Sequence, residues 1–205
     1  MYKKFFKRII DFVISLIGLV LLSPIFLIIA VIVKMDSKGP IFFKQKRIGI
    51  HKTYFNILKF RTMRSDTPDV PTHLLKDPNV FITYSGKILR KTSLDELPQI
   101  INILMGKMSI IGPRPALWNQ DDLISERERY DANDVLPGLT GLAQINGRDE
   151  LPIQEKAKLD GAYVKHISFV QDVKIFFGTI SSVLRHDGVQ EGNKNEKKDT
   201  NYWGE

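Results

Sequence analysis

The sequence predicts a mostly helical α+β protein, in which an N-terminal membrane helix and one small β-hairpin belong to a single globular unit. An uncharged run of 21 residues at positions 13–33 indicates the membrane helix. Two neighbouring β-rich stretches indicate the hairpin, and apolar residues at helical spacing indicate the helices. A chain of 205 residues is large enough for one domain with a core. The predicted parts are a membrane anchor at 1–36, one domain at 37–185 and a flexible polar tail at 186–205.

The membrane segment is long enough to cross a bilayer, whose core of about 30 Å needs roughly 20 helical residues. A cleaved signal peptide fits less well, because the run is longer than the usual core of about 7–15 residues and no small-x-small site follows it. Basic residues flank the run on both sides: Lys3, Lys4, Lys7 and Arg8 before it, and Lys34, Lys38, Lys44, Lys46 and Arg47 after it. Since cytoplasmic flanks carry the excess of Lys and Arg, the charges give a spanning helix no preferred orientation.

Ser23 and Pro24 interrupt the middle of this segment. Proline removes one backbone donor and opposes the preceding turn, which bends a helix, and the serine hydroxyl can satisfy the carbonyl that is freed. Two structures remain open on these grounds. One is a spanning helix with a tolerated proline, and the other is a re-entrant helix that enters and leaves on the same face of the membrane.

Composition narrows the chemistry that the chain can carry. The absence of cysteine excludes disulfides and Cys-ligated metal sites, so any metal must bind oxygen or imidazole. The four histidines lack paired ligand spacing, and we assign them no metal. A formal charge of +7 and a pI near 9.5 favour an anionic partner, which could be nucleic acid, acidic lipid or a phosphorylated small molecule.

Beyond the anchor, the β-rich stretches at 41–48 and 54–61 predict a hairpin. Residues 65–79 contain three prolines and no clear period, which predicts a mobile loop beside a site. Helices are predicted at 97–104, 120–129, 153–164 and 170–184. The apolar stripe of the last helix is typical of a core, although a protein at a membrane could lay it on the interface.

Asp95 and Glu96 form a carboxylate pair shortly after two cations. A capping box with Ser93 as N-cap would explain them structurally, but it places Pro98 where a helical N–H is needed. A helix that starts at Asp95 avoids this conflict and puts Asp95 at its positive end. Such a pair could divide its work, with one carboxylate attacking phosphorus and the other holding Mg²⁺. Taken alone, the pair is weak evidence for that chemistry.

Two glycine- and proline-rich segments present arginines. Residues 112–115 form a rigid turn around Arg114, and residues 137–148 form a glycine-punctuated loop that ends in Arg148. Arginine forks match phosphate oxygens bidentately, yet either segment alone is explained as well by a turn with a solvated arginine. Together with Lys59, Arg61 and Arg90, they favour a phosphate-binding site.

These features together closely resemble the bacterial sugar transferase family, the monotopic phosphoglycosyl transferases that begin assembly of surface glycans. The matching segments are 59–63, 89–99, 108–115 and 137–148, which occur in the family's order and, with Ser23 and Pro24, cover most of the chain to about residue 184. This chain is similar to the short form of the family, without the additional helices that precede the domain in long members. It departs from the family at Leu142, where an aromatic residue is common.

The resemblance implies transfer of a sugar 1-phosphate from a UDP-sugar to polyprenyl (undecaprenyl) phosphate, with release of UMP and a covalent intermediate on Asp95. Glu96 would help to position Mg²⁺. The implied substrate-binding residues are Pro113, Arg114 and Arg148, with Lys59 and Arg90 as additions. The family's membrane segment is a re-entrant helix bent at Ser23 and Pro24, with amphipathic interfacial helices and a catalytic domain on the cytoplasmic face of the inner membrane.

This arrangement suits the reaction, because the UDP-sugar is soluble while the polyprenyl phosphate is confined to the bilayer, and flanking cations attract anionic lipid. The main rival, a membrane-tethered nucleic-acid or anionic-lipid binder, would use the basic charge but has no use for the carboxylate pair. A purely structural membrane protein gives no reason for the arginines at the glycine and proline turns. We expect no nucleic-acid partner. The residues do not specify the sugar, whose recognition we place at 65–79 or around Trp118, nor the oligomeric state.

Overall fold

The computed structural model describes residues 1–67, 77–147 and 151–185. The helices are α1 Lys7–Asp36, α2 Tyr84–Lys91, α3 Gln99–Leu104, α4 Asp121–Glu128, α5 Leu142–Ile145, α6 Ile153–Lys165 and α7 Phe169–Arg185. The strands are β1 Phe42–Ile48, β2 Tyr54–Phe60, β3 Ser109–Ile111 and β4 Gly138–Thr140. A π-helical turn at Tyr2–Phe6 leads into α1, and short 3₁₀ turns lie at Ile50–Lys52, Pro78–Val80 and Leu94–Glu96. The mostly helical α+β class is confirmed.

Helix α1 continues through Pro24 rather than ending there. Because proline has no N–H, the carbonyl of Val20 lacks its usual helical donor, and the Ser23 hydroxyl donates to that oxygen at 2.7 Å instead. Most of the apolar side chains of α1 are exposed, while Ile29 and Val33 are buried against the rest of the protein. Within the described residues, this helix with the turn before it is long and apolar enough to cross a membrane by length and composition.

A buried polar cluster attaches the start of the membrane segment to α7. Lys7 Nζ lies 2.7 Å from Asp172 Oδ2, and the Tyr2 hydroxyl donates to the same oxygen at 2.6 Å. The Tyr163 hydroxyl donates to the other oxygen, Oδ1, at 2.8 Å. The carboxylate of Asp172 is therefore fully paired, which is what a buried charge requires.

The next turn of α1 makes two further attachments. Arg8 donates to the carbonyl of Ile103 at 2.8 Å, near the C-terminal end of α3, where a positive charge is favourable. The carboxylate of Asp11 accepts hydrogen bonds from Ser109 Oγ at 2.7 Å and from the backbone N–H of Ile110 at 3.1 Å. Both α3 and β3 are thus fixed against the helix.

The other end of α1 is attached to β2 and α2. Arg61 donates to the carbonyl of Ser37 at 2.6 Å and to its hydroxyl at 2.9 Å, just beyond the last turn of α1. Asp36 accepts from the backbone N–H of Ser85 at 2.8 Å and from its hydroxyl at 2.6 Å, at the N-terminus of α2. Burial lowers the pKa of Arg61, with Asp36 opposing that shift. Helix α1 is therefore held to the same domain at both ends.

The predicted hairpin is confirmed as an antiparallel pair with the register Phe42↔Phe60 to Ile48↔Tyr54. Its outer edge at β2 is covered by Asn102 of α3, which accepts from the Leu58 N–H and donates to the Asn56 carbonyl, each at 2.9 Å. This side chain occupies backbone groups that an edge strand would otherwise leave unpaired.

Strands β3 and β4 form a short parallel pair, which the sequence did not predict because each is three residues long. Three glycines allow the two segments to approach closely. A Cβ on Gly138 would lie 2.1 Å from the nitrogen of Gly112, and one on Gly141 would lie 2.1 Å from the carbonyl oxygen of Gly112. Gly112, Gly138 and Gly141 therefore serve backbone packing.

The remaining helices pack around these strands. Tyr163 and Ile175 form a core cluster with Ile111, and Arg127 of α4 donates to Asp160 of α6 at 2.5 and 2.8 Å in a buried ion pair. The predicted helices at 97–104, 120–129, 153–164 and 170–184 are confirmed with small shifts in their bounds, whereas α2 and α5 were not predicted.

The prediction that the stripe of α7 is core was wrong. Phe176, Phe177 and Ile180 are 45%, 64% and 44% exposed, while Asp172 and Ile175 lie on the buried side. The reason is that the Asp172 cluster and Ile175 fix which side of α7 faces the domain. The larger part of the predicted loop at 65–79 and the predicted tail at 186–205 lie outside the described residues.

Replacing Gly138 with alanine should destabilise the protein by about 2–3 kcal/mol, because its methyl group would overlap the backbone of Gly112. Gly18→Ala is the matched control, since its Cβ would meet Ile100 Cδ1 at 3.9 Å and alanine favours a helix. Thermal unfolding of both variants in one detergent measures the difference. Equal melting temperatures for Gly138→Ala and the unsubstituted protein would contradict the packing argument.

Candidate active site

The carboxylate pair lies in the 3₁₀ turn Leu94–Glu96, between α2 and α3. Ser93 before it has a left-handed backbone with φ of 57° and makes no side-chain cap, so the capping box does not form. The absence of the capping box agrees with the argument from Pro98, but the expectation that a helix starts at Asp95 was wrong, because α3 begins only at Gln99, directly after Pro98. Proline at that position has no N–H to continue a helix from the turn.

Glu96 joins three separate segments of the chain. Lys59 Nζ at the end of β2 lies 2.7 Å from Glu96 Oε1. Arg114 reaches both oxygens in a fork, with Nη2 at 2.6 Å from Oε1 and Nη1 at 3.3 Å from Oε2. The hairpin, the carboxylate turn and the turn at 112–115 therefore meet at one side chain.

These two cations determine the charge state of Glu96. Burial alone would raise its pKa, but Arg114 and Lys59, through their charges and hydrogen bonds, hold the pKa well below its usual value. Glu96 is therefore ionised at neutral pH.

Asp95 has a different environment, although it is the next residue. Its side chain is buried, and Lys59 Nζ lies 3.9 Å from its Oδ2. Burial raises the pKa of Asp95, and the charge of Glu96 adds to this, while Lys59, Arg90 and Arg114 oppose it. The Asp95 carboxylate is thus less stabilised than that of Glu96.

Arg90 is brought to this site by α2, whose N-cap Thr83 accepts from the Gly86 N–H at 3.0 Å. Its Nε donates to the hydroxyl of Thr62 at 2.9 Å, and its charge acts on Asp95. Thr62 was not singled out from the sequence. Its position beside Arg61, in a segment rich in cations, was the available signal.

Arg61, Pro113 and Arg148 are the other residues that the sequence analysis named. Arg61 is buried at the end of α1 and binds its carbonyls, so the expectation that it joins a phosphate-binding site was wrong. Pro113 is buried, and its carbonyl accepts the Gly138 N–H at 2.8 Å, which fixes the turn that carries Arg114. Arg148 lies outside the described residues.

Comparison with protein families matches residues 2–186 to the model of the bacterial sugar transferases. The chain belongs to the bacterial sugar transferase family. It is 41% identical over 187 residues to the uncharacterized sugar transferase EpsL of Bacillus subtilis, covering 91% of both chains. A UDP-glucose:undecaprenyl-phosphate glucose-1-phosphate transferase of Caulobacter vibrioides is 40% identical over 196 residues, which are 89% of this chain and 71% of that one.

A Klebsiella pneumoniae protein of the same name is 40% identical over 188 residues, which are 85% of this chain and 39% of that longer protein. Membership of this family identifies the chain as a sugar-phosphate transferase. Together with the apolar helix α1, it indicates an enzyme associated with the membrane.

The donor set of this sugar transferase is suited to Mg²⁺. Asp95 and Glu96 supply hard oxygen atoms, and the described residues hold no group of three or more acidic or histidine side chains that would form a cage for a metal. In phosphoryl-transfer sites Mg²⁺ commonly takes one or two carboxylates and completes its shell with phosphate oxygens and water. The pair offers oxygen donors of the kind that Mg²⁺ takes, and the oxygens of Glu96 also bind Lys59 and Arg114.

Replacing Glu96 with glutamine should lower the free energy of unfolding by about 3 kcal/mol at neutral pH, since Lys59 and Arg114 lose their anionic partner. Because the folded-state pKa of Glu96 is depressed, this stabilisation is fully present above its ordinary value near 4.5 and declines as the pH falls further. Denaturant unfolding at several pH values should show the difference between the two proteins shrinking in acid. Glu155→Gln, at an exposed carboxylate, is the control. A pH-independent difference would contradict the assignment.

Proposed function

We propose that this sugar transferase transfers a sugar 1-phosphate from a UDP-sugar to undecaprenyl phosphate and releases UMP. The names of the relatives from Caulobacter vibrioides and Klebsiella pneumoniae support both substrates. The observation that carries the proposal is the pair Asp95 and Glu96, in which one buried carboxylate has a raised pKa while two cations hold its neighbour ionised. The product would be an undecaprenyl-diphosphate sugar, the first membrane-bound intermediate of a surface glycan or glycoprotein.

In the first step, an oxygen of the Asp95 carboxylate attacks the phosphorus that bears the sugar. The bond from that phosphorus to the UMP oxygen breaks, and UMP leaves with the bonding electrons. Asp95 then carries the sugar phosphate as an acyl phosphate. Burial supports this role because it leaves the attacking carboxylate poorly solvated.

In the second step, a phosphate oxygen of undecaprenyl phosphate attacks the same phosphorus. The bond to Asp95 breaks, which regenerates the carboxylate and forms the diphosphate of the product. Each substrate thus reacts at one site in turn, so a soluble donor and a lipid acceptor need not be bound together.

The remaining site residues neutralise charge. Lys59, Arg90 and Arg114 lie around the carboxylates, and Arg148 follows the segment that packs on the turn of Arg114. Phosphoryl transfer depends mainly on alignment and neutralisation of phosphate oxygens, for which arginine forks are suited. Mg²⁺, held on the protein side by Glu96, would supply further neutralisation of the diphosphate.

The attachments of α1 support a re-entrant anchor. A straight helix of 30 residues is about 45 Å long, more than enough to reach the opposite face. Lys7 at its start and Asp36 at its end nevertheless bind the same domain. A crossing helix would place parts of that domain on opposite faces, so we propose that α1 bends at Ser23 and Pro24 and returns to the cytoplasmic face, where the UDP-sugar is available.

Asp95→Asn should abolish turnover without releasing the enzyme from membranes, because the amide is a poor nucleophile of nearly the same shape. The assay measures UMP release with UDP-glucose and a panel of other UDP-sugars, with undecaprenyl phosphate as acceptor. Mass spectrometry of the enzyme given donor alone should show a sugar phosphate on the peptide that contains Asp95, and none in the variant. Asp121→Asn, at an exposed carboxylate, is the control. Near-normal turnover of Asp95→Asn would refute the nucleophile.

The topology has its own test. Single cysteines placed at Lys3 and at Lys38, on the two sides of the apolar run, should react with a membrane-impermeant maleimide from the same face of sealed vesicles. The absence of native cysteine makes the labelling specific. Labelling of the two positions from opposite faces would establish a spanning helix instead.

A further inference from the structure

The turn that carries Arg114 has few backbone groups by which it can be held in place. Pro113 and Pro115 flank Arg114, and neither of them has an N–H. Their carbonyls are the backbone groups of these two residues that can still form a hydrogen bond. The Pro113 carbonyl accepts from the N–H of Gly138 at 2.8 Å. Strand β4 therefore holds the turn on the side before Arg114.

Arg47 of β1 holds the turn on the side after Arg114. Its Nη1 donates to the Pro115 carbonyl at 2.9 Å. The side-chain oxygen of Gln45 accepts from Nη2 and Nε of the same guanidinium, at 2.6 and 3.2 Å. Because a guanidinium is a rigid planar fork, the contact with Gln45 fixes the direction in which Arg47 presents Nη1. Both side chains are half-buried, which limits their alternative positions.

The backbone next to this contact joins the same chain to the hairpin. Arg47 and Leu117 form an antiparallel bridge, and the N–H of Ile48 donates to the Ala116 carbonyl at 3.0 Å. The chain that leaves the turn therefore runs alongside β1. The side chain of Arg47 extends these contacts to Pro115, the residue next to Arg114.

The hairpin register places Arg47 on the face that serves the active site. Phe43 pairs with Lys59, so their side chains share one face, and Arg47 shares it because it lies four residues from Phe43 on β1. Lys59 Nζ lies 2.7 Å from Glu96 Oε1, and Arg114 Nη2 lies 2.6 Å from the same oxygen. One face of the hairpin thus supplies a cation to Glu96 directly and supports the turn that supplies the other.

We propose that Arg47 is a positioning residue of the transfer reaction, which holds the turn at 112–115 so that the fork of Arg114 stays aimed at the carboxylate pair. The inference rests on the proposed function, because that function assigns Arg114 to the phosphates of the donor. Arg47 acts through the Pro115 carbonyl rather than on the substrate. Such support matters because a misplacement of about 1 Å, even far from the chemistry, can cost roughly a hundredfold in rate.

Arg47→Ala should lower kcat/KM for the UDP-sugar about tenfold in an assay of UMP release, because the carbonyl next to Arg114 loses its donor. The same substitution in an Arg114→Ala background should change kcat/KM less than about twofold, since the group that Arg47 positions is already absent. Arg129→Ala, at an exposed arginine paired with Glu126, is the control and should leave kcat/KM unchanged in both backgrounds.

The cycle distinguishes positioning from other roles. An equal loss in the two backgrounds would overturn the inference, because Arg47 would then act on the substrate or on the fold as a whole. An unchanged kcat/KM in Arg47→Ala would overturn it as well. If Arg47→Ala does not fold, Arg47→Lys takes its place, since it keeps the charge and the stem but has no fork to hold Gln45 and Pro115 together. A loss of about threefold, confined to the protein that retains Arg114, is then expected.

Thermal unfolding in one detergent gives a readout that needs no turnover. Arg47→Ala should lower the melting temperature by about 2–4 °C more when Arg114 is present than when it is alanine, because only then does the substitution weaken the contact of Arg114 with Glu96. Equal falls would show that Arg47 supports the fold alone and would overturn the inference. If the unsubstituted enzyme releases no UMP from any UDP-sugar with undecaprenyl phosphate, the proposed function fails, whereas this coupling still tests the link between Arg47 and Arg114.

Discussion

Attachment of both ends of α1 to one domain is the constraint on which the rest of the structure depends. At the start of the helix Asp172 is paired with Lys7 and two tyrosine hydroxyls, and at its end Asp36 and Arg61 bind α2 and the chain after α1. Buried charges are costly unless they are fully paired. Separating the helix from the domain would leave several of them without partners. The anchor is therefore part of the catalytic unit rather than a tether that could be exchanged.

The same attachments explain why the carboxylate turn lies close to the membrane helix α1. Arg61 lies two residues after Lys59 at the end of β2, so the strand that binds the end of α1 also supplies a cation to Glu96. Helix α2, whose first turn binds Asp36 through Ser85, ends near Arg90 and leads directly to the carboxylate turn. The position of α1 and the position of Asp95 are thus set by the same two elements.

Within the site, two adjacent carboxylates acquire different properties from their neighbours. The fork of Arg114 and the ammonium of Lys59 keep Glu96 ionised, whereas burial dominates at Asp95. This difference arises because the 3₁₀ turn directs consecutive side chains to different surroundings. It supports a division between a nucleophile and a residue that organises charge. The glycines of β4 contribute indirectly, since they let the turn of Arg114 pack close enough to reach Glu96.

The sequence by itself determined the membrane helix, the hairpin, four of the later helices and the family, because these depend on local periodicity and on short motifs. It also identified Asp95 and Glu96, but it placed Arg61 in the phosphate site and the stripe of α7 in the core. Only the tertiary structure decided those points, since the partner of a cation and the buried side of a helix depend on which distant segments pack against them. The membrane segment shows both cases. The hydrogen bond from Ser23 to the carbonyl freed by Pro24 follows from local chemistry, because the two residues are neighbours. The attachment of both helix ends to one domain depends on segments distant in the sequence, such as Asp172 for Lys7 and Ser85 for Asp36.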